Sequence, residues 1–448
     1  MSAATAPAST ASGIEPVVAP IAPVSPAPPL PATALLAYGS FGMPLAMAAL
    51  PLYVQLPKFY GDQLGVNLAA LGLLLLVLRL ADGVLDPFLG AWSDRARSRK
   101  ALIAASAPVL AVGMIALFNP LPRGEVALLA WLGVALAVVY LAFSIATINH
   151  GAWGAELSGD PVERTRITAA REGLALLGVV AASVAPSLLG GGDPAGGLAM
   201  FGWLVAGFTL LCAVVTMRAP DAPPRPAAPR GRAGWRVPLA DPLFRRLLVV
   251  FMANGIASAI PATLVLFFVA DVLRADDWQG LFLALYFIAG AAGMPLWVAL
   301  SARIGKARAW ALGMVGAIAA FVWAAGLGAG DTVAFAAICV VSGLALGADL
   351  ALPPSLLADV IDRGGRRHPT GAHFGLWTLA TKLNLAVAAG VALPLLALLG
   401  YAPGAREPTA LAGLAFVYAA VPCLLKLAAV GALFWFDAAA QRERTPTP

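Results

Sequence analysis

Apolar residues fill this chain in long runs, and short polar or Gly/Pro-bearing breaks separate them. Runs of about twenty apolar residues match the length that a helix needs to cross the hydrocarbon of a bilayer. The pattern predicts twelve spans, near 34–57, 66–93, 101–120, 126–156, 166–190, 197–217, 243–271, 278–301, 308–329, 332–358, 372–400 and 409–436. Gly and Pro inside these runs do not argue against helix, because membrane helices tolerate both.

Composition points the same way. Of 448 residues, 60% are hydrophobic and only 12% charged, with a mean hydropathy of +0.85; a soluble domain carries about 25% charged residues. The net charge of +6 sits in short loops rather than in a stripe, so it reads as topology signal, with membrane lipid and not nucleic acid as the partner. Cys212, Cys339 and Cys423 all lie in apolar runs, which suggests buried small hydrophobes rather than disulfides or a zinc site. Residues 1–32, rich in Ala, Pro and Ser, lack the basic start and apolar core of a signal peptide and read as a disordered cytoplasmic tail.

The connections alternate in charge. Arg95, Arg97, Arg99 and Lys100 follow span 2, and Arg164 and Arg166 follow span 4. Arg218, Arg225, Arg230, Arg232 and Arg236 occupy the longest linker, after span 6. Arg303, Lys306 and Arg308 follow span 8, and Arg363, Arg366 and Arg367 follow span 10. The odd-numbered connections carry only Lys58, Arg123, Arg274 and Arg406. The positive-inside rule then puts both termini in the cytoplasm of a cell whose plasma (inner) membrane holds the chain. The division that follows is a six-helix half (33–217), a basic cytoplasmic linker (218–242), a second six-helix half (243–436) and a cytoplasmic tail (437–448). LGAWSDRARSRK after span 2 is echoed by LWVALSARIGKAR after span 8, with Ala302 in place of the aspartate. Paired six-helix halves suggest the all-α architecture of major facilitator transporters.

Span 2 carries Arg79, Asp82 and Asp86 at i, i+3 and i+7, within about 60° of one helix face. Two carboxylates one turn apart could share a proton or ligate a small hard cation; the alternative is an ion-pair cluster that only locks helices together. Lys382, deep in span 11, needs a carboxylate partner there or must give up its charge, the alternative being a side chain that snorkels to an interface; Asp82 and Asp86 are the candidate partners. A lysine competing with a cation for two carboxylates is a coupling device.

The sequence RLADGVLDPFLGAWSDRARSR resembles the span 2 signature of the glycoside–pentoside–hexuronide:cation symporters, the melibiose-permease-like branch of the major facilitator superfamily. AYGSFG in span 1, GAELSGDPVERTRITAAREG after span 4, LLADVIDRG ending span 10, TKLNLA in span 11 and GYAP before span 12 keep the family's order from about residue 36 to 436. The resemblance implies twelve helices, a central cavity and alternating access coupled to Na⁺, Li⁺ or H⁺, in a monomer with no organic cofactor. It implies that Asp82 and Asp86 are the cation-site carboxylates, that Lys382 is the lysine beside them, and that Trp153 and Arg171 are the helix 4 tryptophan and helix 5 arginine. The family's two sugar-binding carboxylates would fall near Pro44 and at Asn149, and both are missing, which puts a galactoside substrate in doubt. The tryptophan expected in span 10 falls at about Leu350, beside Asp349. Two neutral cation-site ligands are changed to Leu85 and Ala146, with Thr147 adjacent, which favours H⁺ over a Na⁺ held at Asp82 and Asp86.

The remaining candidates are weighed against plain packing. Asn149 and His150 late in span 4 are candidates to contact solute, with an interhelical hydrogen bond as the equal alternative; Tyr38, Tyr53, Gln55 and Tyr60 of span 1 are candidates to line the cavity, with interfacial aromatics explaining the tyrosines equally well; Asp349 in span 10 is a candidate solute contact or second proton site. Asn254 and Asn384 read as helix-packing polars, and His368 and His373 make no metal pattern with His150. Gly90, Asp94, Arg95 and Arg99 resemble the gating motif after helix 2, and Asp359 and Asp362 are expected to serve the second half in the same way. The leading expectation is a cation-coupled symporter of a sugar-like or other small polar or amphipathic solute. An exporter, or a non-transporting accessory protein on the same fold, is the alternative. A membrane enzyme is disfavoured because no metal set or nucleophile–base pair is apparent.

Overall fold

The computed structural model describes residues 29–223, 234–364 and 369–442. Most of the expected N-terminal tail, Arg225, Arg230 and Arg232 of the linker, Arg366, Arg367 and His368, and the last six residues lie outside them. Among the described residues, twelve helices are long and apolar enough to cross a membrane. They are α1 Ala32–Ala49, α2 Leu68–Ser93, α3 Arg99–Phe118, α4 Glu125–Glu156, α5 Pro161–Gly190 and α6 Pro194–Thr216, then α7 Pro242–Val272, α8 Asp276–Ile304, α9 Lys306–Gly326, α10 Thr332–Arg363, α11 Thr370–Leu398 and α12 Pro408–Arg442. This is an integral membrane protein with the expected all-α, twelve-span fold.

Local chemistry explains where helices begin. The Asn67 side chain accepts from the amides of Ala69 and Ala70 and opens α2. α5, α6 and α7 each start at an Asp–Pro pair: Asp160, Asp193 and Asp241 cap, and Pro161, Pro194 and Pro242 fill the first helical position. The Asp160 cap therefore starts α5 at Pro161, ahead of the expected 166. α10 runs on to Arg363 and α12 to Arg442, past the expected 358 and 436, because their polar last turns continue the helix beyond the apolar stretch. After α1 the chain continues through two π-type turns, Pro51–Gln55 and Phe59–Gln63.

Buried apolar side chains gather in one cluster within the first half, around Leu110, Leu132 and Val139, in one within the second, around Phe268 with Tyr418, and in a third around Trp310 that also takes in Ile148 and Ala152 of α4. Cys212, Cys339 and Cys423 are buried and unpaired in these layers. The first six helices meet the last six along α2–α11, α4–α11, α5–α8 and α5–α10. A small apolar seam of Ala169 and Leu176 on α5, Met294 on α8 and Ala351 on α10 closes the middle of that junction.

Candidate functional site

The helix α2 exposes Leu73, Val77, Leu80, Val84 and Phe88 and buries the face that carries Asp82, Gly83, Asp86 and Gly90. Asp82 is 6% exposed and Asp86 fully buried. Lys382 reaches them from α11: its Nζ lies 2.6 Å from Asp82 Oδ2 and 2.8 Å from Asp86 Oδ2. Ser144 on α4 ties the group together, donating to Asp82 Oδ1 at 2.9 Å and accepting from Lys382 Nζ at 3.0 Å. Beyond its pairing with Lys382, neither Asp86 oxygen receives a hydrogen bond from a described residue. Arg79, one turn before Asp82, is half-buried. Of the neighbouring positions, Leu85 is 47% exposed on the flank of α2 and Ala146 is buried, so neither offers an oxygen. Thr147 Oγ1, one turn after Ser144, is buried and has no hydrogen-bond partner among the described residues.

A second set of charges ties the first six helices to the last six near the basic loops. Asp94 accepts from the amides of Gly371 and Ala372 at 2.7 and 2.9 Å, so a carboxylate of the first six helices sits on the N-terminus of α11. Arg99 pairs with Asp94 at 2.6 Å and with Glu156 at 3.2 Å. Across the other seam, Arg164 on α5 pairs with Asp359 and Asp362 on α10, both at 2.9 Å, and Lys306 joins Asp359 at 2.6 Å. Thr165 and Ser355 share a hydrogen bond beside them. Gly90 packs against the backbone of Gly371. Of the expected gating residues, Arg95 is exposed and stands outside this network. Glu156, Arg164 and Lys306 belong to it although sequence reasoning passed over Glu156 and counted the other two only as basic loop charges.

Asn149, a candidate solute contact, turns to this network: its Oδ1 accepts from Arg99 and its amide donates to Ile145 within α4. Tyr38, His150, Trp153 and Arg171 do converge, whereas Tyr60 donates to the Leu117 carbonyl on α3. Tyr38 donates to the His150 carbonyl at 2.9 Å, and His150 Nε2 lies 2.8 Å from the Tyr38 carbonyl, which zips α1 to α4. The rings of Tyr38 and Trp153 meet edge-on at 5.2 Å. Tyr38 and Arg171, with Gly151, Thr168 and Pro354, line a chamber of about 10 Å³, room for roughly one water. Arg171 is ion-paired to its neighbour Glu172.

Asp349 lies apart from that group, within the second six helices. Its Oδ1 accepts from Trp310 on α9 at 2.8 Å and its Oδ2 from Lys426 on α12 at 2.7 Å. Lys426 also donates to Asn254 on α7 at 2.7 Å. Sequence reasoning missed Lys426, and the signal was available: it is the one charge in the apolar stretch 409–436, as Lys382 is in its own.

The comparisons with known proteins agree with the fold. The model of the MFS/sugar transport protein family matches residues 35–438. The inner membrane symporter YicJ of Escherichia coli is 23% identical over 261 residues, 53% of this chain and 54% of the relative, so the match spans about half of either protein. Among solved structures, a bacterial homologue of the iron transporter ferroportin, in its outward-facing state, superposes with a TM-score of 0.69 at 16% identity, covering 91% of this chain and all of the other. A variant of the E. coli fucose:proton symporter FucP gives 0.65 at 15% identity, covering 89% of this chain and 98% of its own. At those identities the likeness is one of fold.

Proposed function

This chain belongs to the MFS/sugar transport protein family, and from that premise we propose that it is a cation-coupled symporter in which Asp82, Asp86 and Lys382 form the coupling site. A secondary transporter must let ion and solute bind together and must resist moving with only one of them. The observation that carries the reading is that Lys382 on α11 pairs with two carboxylates on α2, across the junction between the six-helix groups. Lys382 by itself balances only one of the two carboxylates. A proton or monovalent cation entering there competes with Lys382 for them and weakens its grip, so occupancy alters a contact that rocking of the two halves must reshape. The proton is favoured, because Leu85 and Ala146 withhold the oxygens that a sodium ion needs and a proton requires only one basic carboxylate. The Thr147 hydroxyl, which has no hydrogen-bond partner among the described residues, and Asp86 Oδ1, which lies outside the Lys382 pairing, are what a Na⁺ reading has in its support.

The charge bias of the loops supports a cytoplasmic location for the basic end and for both termini. The lock of Asp94, Arg99, Arg164 and Asp359 then holds an outward-facing state and breaks when the transporter opens inward. Tyr38, Trp153 and Arg171 line the path of a small solute from the first half. Proteoliposomes carrying pH and Na⁺ indicators test this. A solute-dependent pH change that Asp86→Asn abolishes supports proton symport, whereas a Na⁺ requirement assigns the ion to sodium. Solute-independent behaviour identical in wild type and Asp86→Asn would overturn the coupling role and favour an accessory protein.

A further inference from the structure

Residues 234–246, GWRVPLADPLFRR, end the linker and open α7, and neither the coupling scheme nor the lock uses them. Their first turns, Gly234–Arg236 and Val237–Ala240, lie outside the twelve spans and run across the ends of α2 and α11 to α7. Gly234 packs on Ala91 of α2, and the Trp235 ring meets that of Phe88 at 5.6 Å. Phe88 belongs to the exposed, lipid-facing side of α2, so Trp235 sits at the rim of the bundle. Val237 and Leu239 are exposed as well. A turn lying in water gains nothing from such side chains, whereas one lying at a membrane surface buries them among the headgroups.

Two arginines of this stretch lie over tryptophan rings. The Arg236 guanidinium is 4.9 Å from the centre of the Trp235 ring, and that of Arg246 is 4.6 Å from the centre of Trp435 on α12. Trp435 and its neighbour Phe434 face outward. Tryptophan gathers where hydrocarbon meets headgroup, so the two rings set the depth of both guanidiniums at the level of the lipid phosphates. Stacking uses the flat face of a guanidinium and leaves the N–H donors on its edge free. Among the described residues, no carboxylate lies within ion-pair distance of Arg236, Arg245 or Arg246. The acids of these two helix ends are engaged within their own helices: Asp241 caps α7 by accepting from the Leu243 amide, and Asp437 accepts from Gln441.

We propose that residues 234–246, together with Trp435, bind the headgroup phosphates of anionic phospholipid in the leaflet at the basic end. Arg236 and Arg246 are the two phosphate-holding groups, Trp235 and Trp435 hold their guanidiniums flat, and Arg245 adds a third cation beside them. A phosphate accepts two parallel hydrogen bonds from the edge of a guanidinium, a geometry that the ammonium of a lysine does not match. An anionic lipid brings a charge that no choline or ethanolamine offsets, so it is held in preference to a zwitterionic one. The two arginines stand at different places on the rim, one beside α2 of the first six helices and one between α7 and α12. Lipid bound there fastens the end of the linker to both halves from outside, whatever ion or solute the transporter moves.

Titration of the detergent-solubilised full chain with phosphatidylglycerol and with phosphatidylcholine, bound lipid being counted by native mass spectrometry, tests this. Phosphatidylglycerol should bind about tenfold tighter or more. Arg236→Gln/Arg246→Gln should shrink that preference several-fold, and Arg236→Lys/Arg246→Lys should shrink it nearly as far. Arg218→Gln, an exposed arginine at the same end but outside the site, should leave it unchanged. Equal binding of the two lipids, or an undiminished preference in the folded double-glutamine variant, would overturn the proposal. Full preference in the double-lysine variant would overturn it too, since diffuse surface charge would then suffice. A melting curve without lipid reports folding. If the double-glutamine variant does not fold, Trp435→Leu, which keeps every charge and removes the ring under Arg246, carries the same test: a several-fold loss supports the site and no loss refutes it.

Discussion

Gly375 on α11 packs directly on the backbone carbonyl of Asp86 on α2, so closely that a Cβ would overlap the oxygen. Gly371 stands in the same relation to Gly90 one turn further along. Small residues let two membrane helices approach backbone to backbone, and here that approach brings Lys382 within reach of its carboxylates. Gly375→Ala is expected to push α11 from α2 and to lower thermal stability by about 1–3 kcal/mol, as overpacking does. Solute transport should fall with it. A melting curve and a transport assay on that variant check both.

Removing the positive charge alone leaves two buried carboxylates facing each other. Lys382→Met should therefore cost about 3–5 kcal/mol, the usual result of stranding buried charge. Asp86→Asn should be far milder, since Lys382 keeps Asp82 and Ser144 as partners. The expected phenotype of Asp86→Asn is solute exchange without solute-driven ion movement, measured as counterflow against indicator signal.

Asp94 holds Arg99 and two amides of α11 at once. Asp94→Asn keeps the shape and loses the charge, so the basic end should open more often. A cysteine introduced as Ala358→Cys, in the chamber wall beside Arg164, should then react several-fold faster with a polar maleimide. The native cysteines are buried and should contribute little background.

Lys426 and Asp349 offer a stability test independent of solute. Lys426→Met should cost about 3–5 kcal/mol, and the added change Asp349→Asn should recover most of that loss, because paired removal strands no charge. Additive losses in thermal unfolding would contradict the ion pair.

The loop before α12 is pinned to the end of α7. Tyr401 donates to Asp271 Oδ2 at 2.5 Å, and the amide of Gly404 donates to the same oxygen at 2.9 Å. Burial, with the Asp271 carboxylate, pushes the Tyr401 phenol above its ordinary value. A raised folded-state value means that the contribution is complete below about pH 10 and is lost as pH rises beyond it. Tyr401→Phe should lower stability by about 1–2 kcal/mol, and the gap from wild type should be flat from pH 6 to about 9 and shrink above about 10.

Hydropathy alone determined the twelve spans, because the bilayer demands long apolar helices whatever their neighbours, and the misjudged ends lie where capping pairs such as Asp160–Pro161 or polar last turns extend a helix beyond its apolar stretch. Isolated charges in such runs announced Asp82, Asp86 and Lys382, since the cost of placing a charge there is a property of the span and not of the fold. Lys426 carried the same signal and was overlooked. What needed the tertiary structure was partnership. Helical spacing aligned Asp82 with Asp86 but could not say that Ser144 would bridge them to Lys382, 238 residues away. Nor could it show that Asn149 faces Arg99, or that Arg164 and Lys306 bind Asp359 instead of ending as loop charges. Periodicity fixes the face a side chain takes on its own helix; only the packing of one helix on another decides what that face meets.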